Sequence, residues 1–473
     1  MASPNVSFDT LPSSIRKPGT YNELNIKLAV RNLPANPQKV VIVAAKTAEG
    51  TLPVNTATDI FSDYEARDLA GPGGTAHLMT LAALKAYPYV RLSLVLVEDD
   101  AAGIAATGSL SIDGAAEGAG VISVSIAGTA YRIAAARNDT PADMATALAE
   151  TVNAVPACPV TAAADEGVIT FTAKNKGELG NGIALAAQST AKAVTLVLEP
   201  MSGGQVNPDI APALASIFAA GHNIVISPYT DADNMAALRD HLQATGHALE
   251  QRGAIGTVAV TATLSQATTL ARSMNEGRIS LALLPGTSSL ACEVAAAYGA
   301  VMASEEDPAR PLNNLSLSGI AVPPVGKRLG RQEQENALAN GVTPLQVGPG
   351  DVVQIVRALS TYTKNIAGAD DVSLLDITTM RTYDYVSKAC RERIDLRFPR
   401  EKLSSRTPPK VRSELIDVLL KLEDLEIVEE VQANLPFLVV ERDSQDANRL
   451  NAAIPVDVVN GLHIRANRID LLL

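Results

Sequence analysis

Residues 223–304 read NIVISPYTDADNMAALRDHLQATGHALEQRGAIGTVAVTATLSQATTLARSMNEGRISLALLPGTSSLACEVAAAYGAVMAS. Three times in this stretch a short apolar run is followed by a longer amphipathic one. A strand over Asn223–Ser227 precedes a helix over Asp231–Arg252, a strand over Gly256–Thr261 precedes a helix from Ser265, and a strand over Arg278–Leu284 precedes a helix over Ser289–Ser304. Continuous apolar strands are the mark of a sheet covered on both faces, and their alternation with helices predicts an α/β fold with a parallel, doubly wound sheet and right-handed crossovers.

Working outward, Lys39–Ala45 (KVVIVAA) and Val90–Val97 (VRLSLVLV), with a helix over Thr75–Ala86 between them, complete the sheet. Between the two halves the pattern changes to short alternating strands at Gly108–Ile112, Gly120–Ile126, Ala130–Ala134 and Gly167–Ala173. One helix, Pro141–Asn153, stands behind the capping residue Thr140. This predicts a small β-rich domain over 99–200, inserted into an α/β domain made of 39–98 and 201–357.

Residues 1–38 carry Pro4, Pro12, Pro18, Pro34 and Pro37 and no helical period, so they read as an arm with one strand, Tyr21–Leu28. Beyond the Pro- and Gly-rich connection Pro311–Gly350 and a strand at Val352–Ala358, a C-terminal domain over 358–473 is expected. It has helices at Met380–Leu396 and Pro408–Glu426, strands at Phe437–Arg442 and His463–Leu473, and the N-terminal arm packed against it.

With 473 residues and 47% hydrophobic content the chain can bury several cores. A formal charge of −12 excludes a general nucleic-acid or membrane-surface binder, which needs a basic field. Cys158, Cys292 and Cys390 are far apart and form no CxxC, so neither a disulfide framework nor a zinc site is indicated and a reducing compartment fits. The N-terminus lacks an apolar export core, and no apolar run reaches the roughly 18 residues that a membrane span needs.

The most tempting catalytic motif is Gly286-Thr287-Ser288-Ser289-Leu290-Ala291, at a strand-to-helix junction, which resembles the G-T-S-x-A stretch around a subtilase nucleophile. A nucleophilic serine needs a base. None of His77, His222, His241, His247 or His463 precedes a glycine, and the partner Asp-Ser-Gly or Asp-Thr-Gly is missing. Thr287 or Ser288 is therefore read as a cap for a helix beginning near Ser289. His241 and His247 are six apart and cannot form an i, i+4 metal pair, while Gly71-Pro72-Gly73-Gly74 has no following Lys-Ser/Thr. No catalysis, cofactor or metal is expected.

The end of the chain is more telling. From Asp376 to Glu414, Arg381, Lys388, Arg391, Arg393, Arg397, Arg400, Lys402, Arg406, Lys410 and Arg412 outnumber the acidic residues by four, on a chain that is otherwise acidic. Lys410 and Arg412 fall in the first turn of the expected helix, against the macrodipole, which suggests an acidic partner facing them. Val411, Leu415, Val418, Leu419, Leu422 and Leu425 follow the spacing of a core face. Downstream, Leu462, Ile464 and Ala466 alternate on even positions and Ile469, Leu471 and Leu473 on odd ones. This is a parity switch that a bulge, or a crossing from one subunit's sheet to the next, would produce. An apolar strand with nothing after it to cover it invites pairing with another chain.

With Gly341-Val342-Thr343-Pro344-Leu345, Ile355-Val356-Arg357-Ala358, Thr361-Tyr362-Thr363, Asp376-Ile377 to Arg381-Thr382, Arg397-Phe398-Pro399-Arg400 and Asn448-Arg449-Leu450, the chain resembles a tail sheath protein of contractile phages, Mu-like type. Lys174-Asn175-Lys176-Gly177 and Leu179-Gly180-Asn181 resemble that family's β domain. The resemblance implies a subtilisin-like α/β domain without catalysis, and a homo-oligomer of stacked hexameric rings around a tail tube protein, with baseplate and tail terminator proteins as further partners. It implies no direct nucleic-acid contact and no membrane insertion. Assembly would occur in the host bacterial cytoplasm, the product being a virion tail whose contraction drives the tube through the host envelope. By position, Lys410 and Arg412, or else Lys402 and Arg406, would touch the tube, and Tyr21, Leu24, Ile464, Ile469, Leu471 and Leu473 would lie in strands exchanged between subunits. The alternatives are the sheath of a phage-derived bacteriocin or secretion machine and a subtilase-like serine hydrolase.

Overall fold

A computed structural model of the chain describes residues 16–21 and 33–471. Its centre is an eight-stranded sheet in the order Val352–Ile355, Thr343–Gly348, Ile279–Leu283, Ile255–Val260, Ile224–Ile226, Lys39–Ala45, Arg91–Val97, Thr58–Ile60. The six inner strands are parallel, and each outermost strand runs antiparallel to its neighbour. Within Lys39–Ala45, Val40, Ile42 and Ala44 belong to one core and Val41, Val43 and Ala45 to the other, so the run is apolar throughout because both of its faces are covered. Helices Thr75–Ala86 and Ala291–Ser304 pack on the first face, and helices Ala211–Ser216, Ala232–Gly246 and Leu264–Met274 on the second. Gly299 permits the closest approach: a Cβ there would stand 2.6 Å from Ile226 Cδ1.

Local signals account for most helix ends. Thr263 and Gln266 form a capping box, Asp231 accepts from Asn234 N–H at 3.0 Å, and Asn275 closes the helix Leu264–Met274 in the left-handed conformation. The helix expected over Asp231–Arg252 stops at Gly246, where His247 turns extended. Several elements were not anticipated, among them the helices Asp63–Ala70 and Ala211–Ser216. Thr58–Ile60 has only three residues, Thr343–Gly348 contains Pro344, and the helix Arg331–Ala339 (RQEQENALA) is polar over its first six residues. The strand expected at Val352–Ala358 runs over Val352–Ile355 and closes the sheet's edge.

Residues 107–202 form two antiparallel sheets, one of four strands and one of three, with the helix Pro141–Asn153 packed beside them. Thr140 caps that helix in a box with Asp143. The strands Val160–Asp165, Leu185–Ser189 and Thr195–Ser202 escape a pattern reading because alanines and prolines blur their alternation. Asn175 ties this region to the large sheet: its amide donates to Lys46 O at 2.8 Å and Asp99 Oδ1 at 3.1 Å, and its oxygen accepts from Thr75 N–H at 2.8 Å.

The chain divides into two compact units. The smaller comprises 1–35, 388–425 and 430–455, and the larger holds the remainder. In the smaller unit the helix Thr407–Asp424 buries Val411, Leu415, Val418, Leu419 and Leu422, the expected core face. Leu425 breaks that expectation, standing 56% exposed just past the last helical residue. A two-stranded antiparallel hairpin, Val439–Arg442 with Leu450–Ala453, completes the described part of this unit.

Candidate assembly surfaces

At the Gly286–Ala291 junction the helix begins at Ala291, two residues later than the capping reading requires, and its N-cap is Leu290, whose N–H is bonded by Glu293 Oε2 at 2.8 Å. The hydroxyls serve the loop instead. Thr287 Oγ1 donates to Ala321 O at 2.7 Å and accepts from Ser289 N–H at 3.1 Å, while Ser289 Oγ accepts from Ala321 N–H at 2.9 Å. Among the described residues, neither Ser288 nor Ser289 is bonded to an imidazole or a carboxylate. The turn Ala127–Gly128 lies over Ser288, where a Cβ on Gly128 would stand 2.6 Å from Ser288 Oγ. Beside this junction, at the C-terminal ends of the parallel strands, a crevice of about 60 Å³ remains, lined by Thr75, Asn175, Ile183, Thr261 and Leu290 among others. Small-molecule sites usually take about 300–1,000 Å³.

His77 is buried and held between Gly73 N–H (3.0 Å) and Asp63 Oδ1 (2.9 Å), and its burial pulls its pKa down against the attraction of Asp63. His241 lies edge-on to Phe218, and burial lowers its pKa to about 4, helped by the nearby His222. Among the described residues no group of three His, Cys, Asp or Glu side chains could hold a metal ion, and no helix is long and apolar enough to cross a membrane.

Most of the basic stretch is internal structure. Arg393, buried, reaches Asp417 at 2.6 Å and Glu414 at 3.3 Å; Arg397 bonds Glu414 at 3.0 Å and Lys421 bonds Asp417 at 2.9 Å. Arg381 is fully enclosed and donates to Glu305 O, burial lowering its pKa to about 10. Lys410 and Arg412 also have partners at home. Lys410 pairs with Glu401 at 3.0 Å, and Arg412 donates from Nε to Leu438 O at 3.0 Å and from Nη2 to Leu435 O at 2.9 Å. Both residues thus have partners within the chain, so their place in the first turn does not by itself call for an acidic partner.

Three other cations of the stretch differ. Arg400, Lys402 and Arg406 are exposed, on a loop folded by its own bonds: Thr407 Oγ1 donates to Lys402 O at 2.7 Å, and Ser404 N–H to Thr407 Oγ1 at 3.0 Å. Among the described residues, the side chains of these three cations make no ion pair. The loop holds its backbone fixed and turns its charge outward.

The terminal segment departs from expectation most. No strand forms over His463–Leu471, where Leu462, Ile464, Ile469 and Leu471 are 65%, 80%, 86% and 87% exposed. Among the described residues the parity switch therefore separates no buried face from an exposed one, because Leu462, Ile464, Ile469 and Leu471 all face solvent. The segment is anchored upstream by the bridge Val428–Val458, by Glu429 N–H on Asp457 O at 2.9 Å, and by His463 Nδ1 against Asn313 Nδ2 at 2.9 Å. Tyr21 is 42% exposed and donates to Lys17 O at 3.1 Å, in no strand, while Leu24 and Leu473 lie outside the described residues.

The model of the phage tail sheath protein central domain matches residues 203–361, and that of the phage tail sheath C-terminal domain matches 369–471. Over 487 aligned residues, 99% of this chain and 100% of the relative, the sequence is 32% identical to the Mu-like prophage FluMu tail sheath protein of Haemophilus influenzae. Among solved structures, the sheath tail protein of Desulfitobacterium hafniense matches with a TM-score of 0.52 at 12% identity, covering 94% of this chain and 97% of that one. The sheath complex of the extracellular contractile injection system PVC, in its contracted state, matches at 0.51 and 10% identity, over 97% and 98%. These last two are likenesses of fold. Matched in both family domains and along its whole length to a Mu-like sheath protein, the chain belongs to the phage tail sheath family and is a contractile tail sheath subunit.

Proposed function

We propose that the subunit polymerises with copies of itself around a tail tube, in a metastable extended lattice docked on a baseplate and closed by a terminator. On triggering, the lattice shortens and the tube is driven through the host envelope. The observation that carries this reading is the apolar terminal segment, anchored at its root by Val428–Val458 and otherwise exposed. Such a segment gains most by adding a strand to a neighbour. The hairpin Val439–Arg442/Leu450–Ala453 is a receiver of the right kind, since two strands alone are marginal and its outer edges are unpaired among the described residues.

The organisation proposed is an arm at 1–38, an α/β domain at 39–98 and 201–357, an insert at 99–200 and an assembly domain at 358–473. The α/β domain is read as a subtilisin-like scaffold without catalysis. The covered Ser288 and the two-sided parallel sheet support that assignment. The tube-facing surface is assigned to Lys402 and Arg406 with Arg400, in preference to Lys410 and Arg412, because only the first group has charge left to offer. Assembly takes place in the host cytoplasm. Negative-stain microscopy of the purified protein should show striated tubes or hollow cylinders; monodisperse particles that react with a fluorophosphonate at Ser288 would overturn the reading in favour of a hydrolase.

A further inference from the structure

We infer that the hairpin around Ile366 of one copy docks into the groove beside Tyr89 of the next copy, so that the sheet-bearing bodies grip one another directly. The inference rests on the polymerisation proposed above and adds a contact separate from strand exchange.

The hairpin is rigid and misplaced for a lone protein. Asp371 N–H donates to Thr363 O at 2.9 Å, Asn365 N–H to Ala369 O at 3.0 Å, and Asn365 Oδ1 accepts from Ala367 and Ala369 N–H at 3.0 and 3.1 Å. Its base is clamped by Asn275, whose Oδ1 accepts from Thr363 and Lys364 N–H at 2.9 and 3.0 Å and whose Nδ2 donates to Lys364 O at 2.8 Å. On this ordered tip Ile366 is wholly exposed, with Val372 at 75%. A fixed apolar side chain held in water is a knob already prepared for binding, since its ordering cost has been met by folding.

The groove lies at the opposite end of the sheet from the small crevice, where the parallel strands begin, and has a volume of about 620 Å³. Its apolar lining includes Phe61, Leu84 and Tyr89, and Phe61 and Tyr89 are 81% and 83% exposed in a chain with only 3% aromatic residues. Aromatic side chains concentrate where proteins associate. Lys39 and Arg91 stand on the rim without an ion pair among the described residues, and His222 Nδ1 is buried in the lining with no hydrogen-bond partner. The knob suits the groove in two respects: Ile366 is apolar like the lining, and the tip, where Asp370 and Asp371 outnumber Lys364 (which holds Asp370 at 2.8 Å), is acidic toward a rim where Lys39 and Arg91 outnumber Asp59. A second copy fits as the occupant because one body carries both halves. A knob and a groove at different places on one surface pair head to tail, and such heterologous contacts propagate into rings or helices.

The test uses the full-length protein carrying Ile366→Cys and Tyr89→Cys together; the native Cys158, Cys292 and Cys390 are buried. Oxidation under assembly conditions should give a ladder of covalent oligomers on a denaturing gel, while each single variant stays monomeric. Ile366→Asp should cut tube yield about tenfold or more, as loss of a central interface anchor does, without lowering the melting temperature. Lys39→Glu with Arg91→Glu should do the same. Tubes formed at wild-type yield by Ile366→Asp, or tubes of the double-cysteine protein that give no ladder, would overturn the docking while leaving polymerisation standing. A wild-type protein that forms no tubes would sink the polymer reading and this contact with it.

Discussion

Charge reversal at Arg412 and at Arg406 should have opposite consequences, although the two residues are six apart at one end of one helix. The Arg412 guanidinium is partly buried and holds two carbonyls, Leu435 O and Leu438 O, from the segment that leads into the hairpin Val439–Arg442. Hydrogen bonds to a charged group contribute about 1.5–3 kcal/mol each, so losing both costs about 3 kcal/mol or more, and a glutamate there adds repulsion from the two oxygens. For a unit of about 60–100 residues each kcal/mol moves the melting temperature by about 4–8 °C, so Arg412→Glu should lower it by at least about 12 °C. Arg406 is exposed and sits at the N-cap of the helix Thr407–Asp424, where a negative charge is favoured by about 0.3–1 kcal/mol. Arg406→Glu with Lys402→Glu should therefore melt no lower than the wild type yet bind purified tube protein more weakly, the difference shrinking at high salt. Circular dichroism melts paired with tube co-sedimentation at two salt concentrations make the comparison. An Arg412→Glu protein that melts normally but loses the tube would refute the assignment, and so would an Arg406→Glu, Lys402→Glu protein that binds the tube undiminished at low salt.

Deleting Ile469–Leu473 should leave the melting temperature unchanged, because Ile469 and Leu471 bury nothing in the single chain, and should abolish tubes; a lowered melting point would show an internal strand instead. Ser288→Ala should be silent in stability and assembly, whereas Ser289→Ala, which frees Ala321 N–H, should cost about 1 kcal/mol in a denaturant melt. His241 has a folded pKa of about 4 against 6.5 for the free side chain, so the unfolded chain takes up the proton first as pH falls. Its contribution is complete above about pH 6.5 and is lost progressively toward pH 4, an effect of about 1–2 kcal/mol once partial solvent exposure is allowed for. His241→Gln should flatten that part of the stability–pH curve relative to wild type, and an unchanged slope would count against it.

The doubly wound centre was legible because strands covered on both faces leave an unmistakable run, as in Lys39–Ala45, and because Asp231 marks its helix with a side-chain cap, as Thr140 marks the helix of the insert. Thr343–Gly348 was not, since Pro344 and Gly348 argue locally against a strand and only its neighbours, Ile279–Leu283 on one side and Val352–Ile355 on the other, hold it in place. The roles of Arg412 and Arg393 were hidden for a similar reason. Their partners lie between 21 and 26 residues along the chain, beyond the reach of any helix-end rule. The dipole argument about Lys410 and Arg412 identified an anomaly for which the fold supplies partners the helix alone does not reveal. The terminal segment was the converse case: an alternating pattern predicted a strand over His463–Leu473, and none forms over residues 463–471, where the apolar side chains stay exposed.

The three-way hold of Asn175 on Lys46, Asp99 and Thr75 makes the β-rich insert a fixed mount on the large sheet. A fluorophore or gold label placed in the exposed turn at Gly114–Ala115 would follow the sheet it stands on, with little swing of its own. Labels on successive copies would then act as a protractor: the distance between them, read before and after shortening of a tube, reports the rotation and sliding of each tile.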